Sequence, residues 1–190
     1  MVRLDKIVTK AGDGGKTRLA TGQEVPKSGA RIEAVGAVDE VNSALGVARL
    51  HTSGATKLDA ILGRAQNDLF DLGADLATPE TETPLRFTPL RVSEVQVERL
   101  EAEIEELNAA LAPLTSFILP GGSPAAAHLH LARALARRAE RALVRLSESE
   151  HVSTSALKYC NRLSDLLFVA ARWANDQGRA DVLWVPGENR

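Results

Sequence analysis

The sequence predicts an all-α fold, a five-helix bundle entered through an extended, glycine-rich N-terminal loop. Three observations carry that reading. Apolar residues recur at helical spacing in five separate segments, no segment alternates convincingly as a strand would, and no internal repeat is present. With 190 residues the chain is of single-domain size, divided into a loop (1–29), a bundle (30–177) and a tail (178–190).

Residues 1–29 hold Gly12, Gly14, Gly15, Gly22, Gly29 and Pro26, a density of breakers that excludes a helix and marks a loop. Ile32, Val35, Val38, Leu45 and Ala48 define the first helix, from Arg31 to about Leu50, and the patch 52–56 breaks it. Leu58, Leu62, Ala65, Leu69, Leu72 and Leu76 define the second, stopped by Thr78-Pro79. Residues 79–90, with three prolines, form a surface loop. Ser93 and Gln96 make a capping box that opens a third helix, running to about Ala112 with Glu98, Glu101 and Glu105 on a solvated face. Ser123 caps a fourth helix to about Leu146, with Pro124 at its first position. The fifth runs from about Thr154 to Asn175, and Val182–Val185 is placed as a short terminal strand.

Composition excludes several function classes. A formal charge of −2 provides no basic field for nucleic acid or an anionic membrane. No apolar run reaches membrane-span length, and Met1–Lys10 carries Arg3, Asp5, Lys6 and Lys10 rather than a signal-peptide core. The single cysteine, Cys160, permits no intrachain disulfide and reads as a small core hydrophobe; a cytoplasmic location is expected. His128 and His130 are two apart, so a helix turns them to different faces and they cannot form a metal pair.

Two features suit phosphate. Gly15-Lys16-Thr17 imitates the end of a P-loop, but Lys10 stands where the first glycine is required, and Gly22 and Pro26 follow instead of a helix. The glycines and Lys10, Lys16 and Lys27 could still cradle an anion, or form a basic arm. On the fourth helix, Leu129, Ala132, Ala136, Ala139 and Leu143 form an apolar stripe flanked by Arg133, Arg137 and Glu140, with Arg141 further round. Arg138 and Arg145 point away into solvent. Arginines beside a buried stripe pair with carboxylates, of which Asp39 and Asp165 are candidates, or grip phosphate with their planar forks. Asn161, Arg162 and Asp165 interrupt the very apolar fifth helix, a polar cluster compatible with structure or with ligand binding.

Read together, Thr9–Thr17, Arg31–Gly46, Asn67–Pro79, Phe117–Arg141 and Tyr159–Arg172 resemble, in order, the motifs of the PduO-type ATP:cob(I)alamin adenosyltransferases. The chain departs from the family's usual residues at Ala11, Val35 and Cys160. The resemblance implies a homotrimer with active sites between subunits, transferring the 5′-deoxyadenosyl group of ATP to the cobalt of cob(I)alamin. Thr9, Lys10, Ala11, Gly12, Gly15, Thr17, Arg18 and Lys27 would surround ATP, joined by Arg137, Arg138, Glu140, Arg141 and Asn161. Phe117, Arg137, Asp39 and Arg133 form the implied catalytic set: Phe117 lies beneath the corrin ring, and Asp39 pairs with Arg133 across the subunit boundary. Mg²⁺ would ride on the ATP phosphates, without an implied side-chain metal site. A cobalamin reductase and an adenosylcobalamin-dependent enzyme are the implied partners. An alternative of another class is a carrier that escorts adenosylcobalamin to such an enzyme.

Overall fold

The computed structural model describes residues 7–82 and 84–190, so Arg3, Asp5 and Lys6 lie outside the described residues. Its five helices are α1 (Ala30–Arg49), α2 (Thr56–Leu76), α3 (Glu94–Asn108), α4 (Pro124–Ser147) and α5 (Thr154–Ala174). α1 packs on α4 and α2, α4 packs on α5, and α5 packs on α3. The core is aliphatic: Leu45, Leu58, Leu62, Leu72, Leu100, Leu129, Leu143 and Leu167 are all fully buried.

Local chemistry sets the helix ends. Ser123 Oγ accepts from the Ala126 amide and, with Pro124 next, starts α4; Ser153 does the same for α5 through Ala156. The Ser93–Gln96 capping box opens α3. α3 stops at Asn108, four residues short of the expected Ala112; the chain turns there, with Asn108, Ala109 and Ala110 exposed and Leu111 packed back on the core. Small residues bring α4 close to its neighbours, with Ala126, Ala132, Ala136 and Ala139 buried along one stripe.

Polar side chains tie the bundle together. Arg31 donates to Glu150 at 2.8 Å and to the Leu76 carbonyl at 2.6 Å, joining the start of α1 to the ends of α2 and α4. Buried Tyr159 donates to Asp68 at 2.9 Å, and Arg99 pairs with the same carboxylate, linking α2, α3 and α5. Cys160 is buried, and burial pushes its thiol up to about 12, so it packs as an inert hydrophobe.

Two segments differ from the expectation of a chain whose one short strand is terminal. The N-terminal loop contains an antiparallel hairpin, β1 (Lys16–Arg18) with β2 (Glu24–Pro26), in which Thr17 faces Val25. Three-residue strands are too short for alternation to be visible in the sequence. Conversely, 182–185 is not a strand: it makes one bridge, Ile118 to Leu183, because Pro186 and the turn after it end the pairing.

Candidate functional site

The hairpin is docked at the end of the bundle where α1 begins and α2 ends. Leu19 is buried there, and the Ala20 amide donates to the Ala77 carbonyl at 2.9 Å. Gly15 sits at φ 76°, a left-handed conformation that favours glycine, and its carbonyl accepts from the Lys27 amide at 2.9 Å. Lys10 also adopts positive φ, at 60°. The Lys27 ammonium lies so close over Gly12 that a Cβ there would be 2.8 Å from Nζ. Thr9, Lys10 and Ala11 are exposed beside it, Thr17 is half-buried, and Arg18 is exposed on β1. Lys16 is taken by Glu24, at 2.9 Å. The backbone cluster is therefore cationic, open to solvent and built on turns, which suits an anion better than a packed interface does.

A second constellation lies along α4 and α5. Phe117, Ile118, Pro120, His130, Arg133, Arg137, Ser164, Asp165, Phe168 and Val169 line a cleft of about 310 Å³. Phe117 is 76% exposed at its rim, a costly position for a phenylalanine unless something covers it. The tail fixes that position: the Trp184 amide donates to the Phe117 carbonyl at 2.7 Å, Ser116 Oγ donates to the Trp184 carbonyl at 2.7 Å, and the two rings lie 6.3 Å apart. The pairing of Phe117–Leu119 with Val182–Trp184 is a single bridge, too short to leave a pattern in the sequence. The tail is itself anchored by the buried Arg172–Asp181 pair at 2.8 Å.

The arginines separate by environment. Arg137 lines the cleft, is exposed, and its guanidinium has no hydrogen bond or ion pair among the described residues. Arg141 Nη1 donates to the Arg137 carbonyl at 3.1 Å. Glu140 accepts from Asn161 Nδ2 at 2.9 Å, while Asn161 Oδ1 accepts from Arg162, which also holds Glu101 at 2.7 Å. Arg138, expected in solvent on helical spacing and carried into the ATP set by the resemblance, is exposed and also pairs with Glu40 of α1, because α1 runs alongside α4. Asp165 is exposed at the cleft, and Asn161 is only half-buried, so these residues form a wall and not the core cluster that the apolar sequence of α5 suggests.

Arg133 and Asp39 are not paired within the chain. Arg133 Nε is buried without a hydrogen-bond partner among the described residues, and Asp39 is exposed on α1. Nor does any hydrogen bond or ion pair among the described residues join the N-terminal loop to Arg137, Glu140 or Arg141. On α4 the stretch from His130 to Arg141 spans about 16 Å at 1.5 Å per residue. Arg137, which lines the cleft, and Glu140 and Arg141, which lie beyond it, thus follow one another along α4.

Fold and site together describe a helical bundle with a cationic glycine-rich loop and an aromatic-rimmed cleft lined by arginines. Comparison with known proteins gives the family: residues 7–174 match the cobalamin adenosyltransferase family model, and the chain belongs to that family. It is 46% identical over 191 residues to a corrinoid adenosyltransferase of Mycobacterium tuberculosis, covering 100% of this chain and 97% of the relative. A corrinoid adenosyltransferase of Bacillus subtilis is 42% identical over 181 residues, covering 93% and 91%. Among solved structures, a phenylalanine-to-alanine variant of a PduO-type ATP:corrinoid adenosyltransferase from Lactobacillus reuteri, complexed with cobalamin and ATP, superposes with a TM-score of 0.83. It shares 38% identity over 94% of this chain and 99% of that one.

Proposed function

We propose that the chain transfers the 5′-deoxyadenosyl group of ATP to the cobalt of cob(I)alamin, releasing triphosphate. The single observation that carries this reading is the cleft that exposed Phe117 rims and the unpaired guanidinium of Arg137 lines. Such a site suits a macrocycle beside a polyphosphate.

The chemistry asks little of the protein in proton transfer. The electron pair of Co(I) forms the Co–C bond at C5′ of the ribose, the C5′–O bond breaks, and its electrons leave on the triphosphate. Side chains must align the reactants and stabilise the charge that builds on the leaving group. Arg137 and Arg141 lie where they can meet phosphate oxygens, with Lys10, Lys27 and the loop amides as further donors. Asn161 and Glu140 hold one another at 2.9 Å and present a fixed polar edge to the nucleoside. Phe117, backed by Trp184, occupies the space below cobalt and denies it a lower axial ligand. Among the described residues no three metal-ligating side chains converge, and in this reading Mg²⁺ is carried by the ATP phosphates, where it neutralises part of their charge.

Among the described residues no hydrogen bond or ion pair joins the loop to Arg137, Glu140 or Arg141 within one chain, which supports sites shared between copies. In a homotrimer the loop of one subunit would close over α4 of the next. Asp39 of a neighbouring copy would supply the acceptor that buried Arg133 Nε lacks, since an unpaired buried guanidinium nitrogen is costly.

Incubating the protein with ATP, Mg²⁺ and chemically reduced cobalamin tests the reading. Adenosylcobalamin and triphosphate are expected in equal amounts; neither product appearing would overturn it.

A further inference from the structure

Of the cleft's polar side chains that the reaction above does not use, Ser164 donates to the Asn161 carbonyl and Asp165 is exposed, but the third is buried and unsatisfied. His130 lies on α4 one turn before Arg133 and is only 6% exposed. Its ring stands edge-on to Phe168, with centroids 6.3 Å apart and planes at 63°. Its Nδ1 is buried and has no hydrogen-bond partner among the described residues. A bundle interior has no use for such an atom: an unmet ring nitrogen is destabilising where leucine or phenylalanine would pack as well. Its presence in the wall points to a partner that arrives with a ligand.

The character of that partner follows from the surroundings. Burial, reinforced by the Arg133 charge, pushes the His130 pKa down against the opposing pull of Asp181. Arg137 and Asp165 also line the cleft. The ring is therefore neutral near pH 7, with one N–H donor and one acceptor nitrogen. A neutral imidazole is a poor counter-ion, and the two guanidinium groups nearby already serve anions. The complementary group is neutral and can both donate and accept, which describes a carboxamide; the rim of a corrin macrocycle carries several.

We infer that His130 positions the corrin by hydrogen bonding, through a ring nitrogen, to one of its peripheral carboxamides. The inference rests on reading the cleft as the corrinoid site. It makes His130 a positioning residue, acting on macrocycle placement and not on the leaving group.

The test compares H130L and H130N with the unaltered protein by equilibrium binding of cob(II)alamin, ATP affinity and melting temperature. Leucine removes both the hydrogen bond and the buried unmet nitrogen, so H130L should bind the corrinoid about tenfold more weakly, with ATP affinity unchanged and the melting temperature not lowered. Asparagine can place an amide near the Nδ1 position, and H130N should retain corrinoid affinity to within about threefold. H130L binding cobalamin as tightly as the unaltered protein would overturn the inference. So would an H130N as weak as H130L, or a parallel loss of corrinoid affinity, ATP affinity and melting temperature in H130L. Binding separates the two readings: unaltered protein that binds cobalamin without transferring adenosyl refutes the transferase but leaves this comparison decisive. Unaltered protein that binds no corrinoid removes both.

Discussion

Asn161 reaches from α5 to α4 and donates its amide to Glu140 at 2.9 Å, while its own oxygen is held by Arg162. The amide is thus fixed from both sides before any nucleotide arrives. Asn161→Ala should raise the KM for ATP about tenfold through loss of one charge-assisted hydrogen bond, with corrinoid binding unchanged. Steady-state kinetics with each substrate varied in turn checks this; a changed corrinoid KM with an unaltered ATP KM would place Asn161 elsewhere.

Arg133 and Arg137 are one helical turn apart and should behave oppositely. Arg137→Ala is expected to reduce ATP use by at least 10²-fold while the oligomer survives. Arg133→Ala should weaken the assembly, because Arg133 Nε is buried without an acceptor in its own chain. Light scattering across a dilution series, alongside activity, distinguishes them; monomers from Arg137→Ala would reassign that residue to the interface.

Phe117 and Trp184 share the rim of the cleft, their rings 6.3 Å apart. Phe117→Ala should leave ATP affinity intact and slow adenosylation on the order of 10²-fold, because water can then approach the lower face of cobalt. Trp184→Ala should cost up to about tenfold, the loss of one aromatic contact that steadies Phe117. The spectrum of bound cob(II)alamin reports the coordination number directly, and a four-coordinate signature undiminished in Phe117→Ala would end this assignment.

Gly122 holds φ at 96°, and a Cβ there would sit on the Asn175 side chain. Asn175 accepts from the Ser123 amide at 3.0 Å and donates to Asp181 at 3.0 Å, so the collision would disturb the start of α4 and the tail anchor together. Gly122→Ala should destabilise the protein by roughly 2 kcal/mol or more, which combines left-handed strain with a lost hydrogen bond. Denaturant unfolding measures it.

Arg49 clamps Asp59 through two hydrogen bonds of 2.9 and 2.7 Å across the α1–α2 turn. The guanidinium, helped by Thr52, lowers the Asp59 pKa from 3.8 to about 2. A carboxyl with a depressed folded-state pKa adds stability above pH 4, and that stability is lost as pH falls from about 4 to 2. The pair is about a third exposed, so solvent screening leaves a contribution on the order of 1 kcal/mol. Asp59→Asn should lower stability by that amount at pH 7 and show a shallower acid transition between pH 4 and 2; an unchanged acid transition would refute the clamp.

Sequence alone determined the helices and the family. Apolar periodicity and the Ser93 and Ser123 caps are local signals, and the observed helix bounds follow them closely except at the end of α3. The stripe Leu129–Leu143 correctly placed Arg133 and Arg137 beside the packed face of α4, since helical spacing fixes which residues share a side. Five co-linear motifs carried the family, and residues 7–174 match its model. Tertiary structure decided what those side chains meet. It paired Arg138 with Glu40, brought the tail's Trp184 onto Phe117 across 67 positions of sequence, and left His130 and Arg133 with buried nitrogens unpaired. These relationships depend on which helices are neighbours and on how close alanines let them come. A local pattern records the face a residue occupies; only packing supplies its partner.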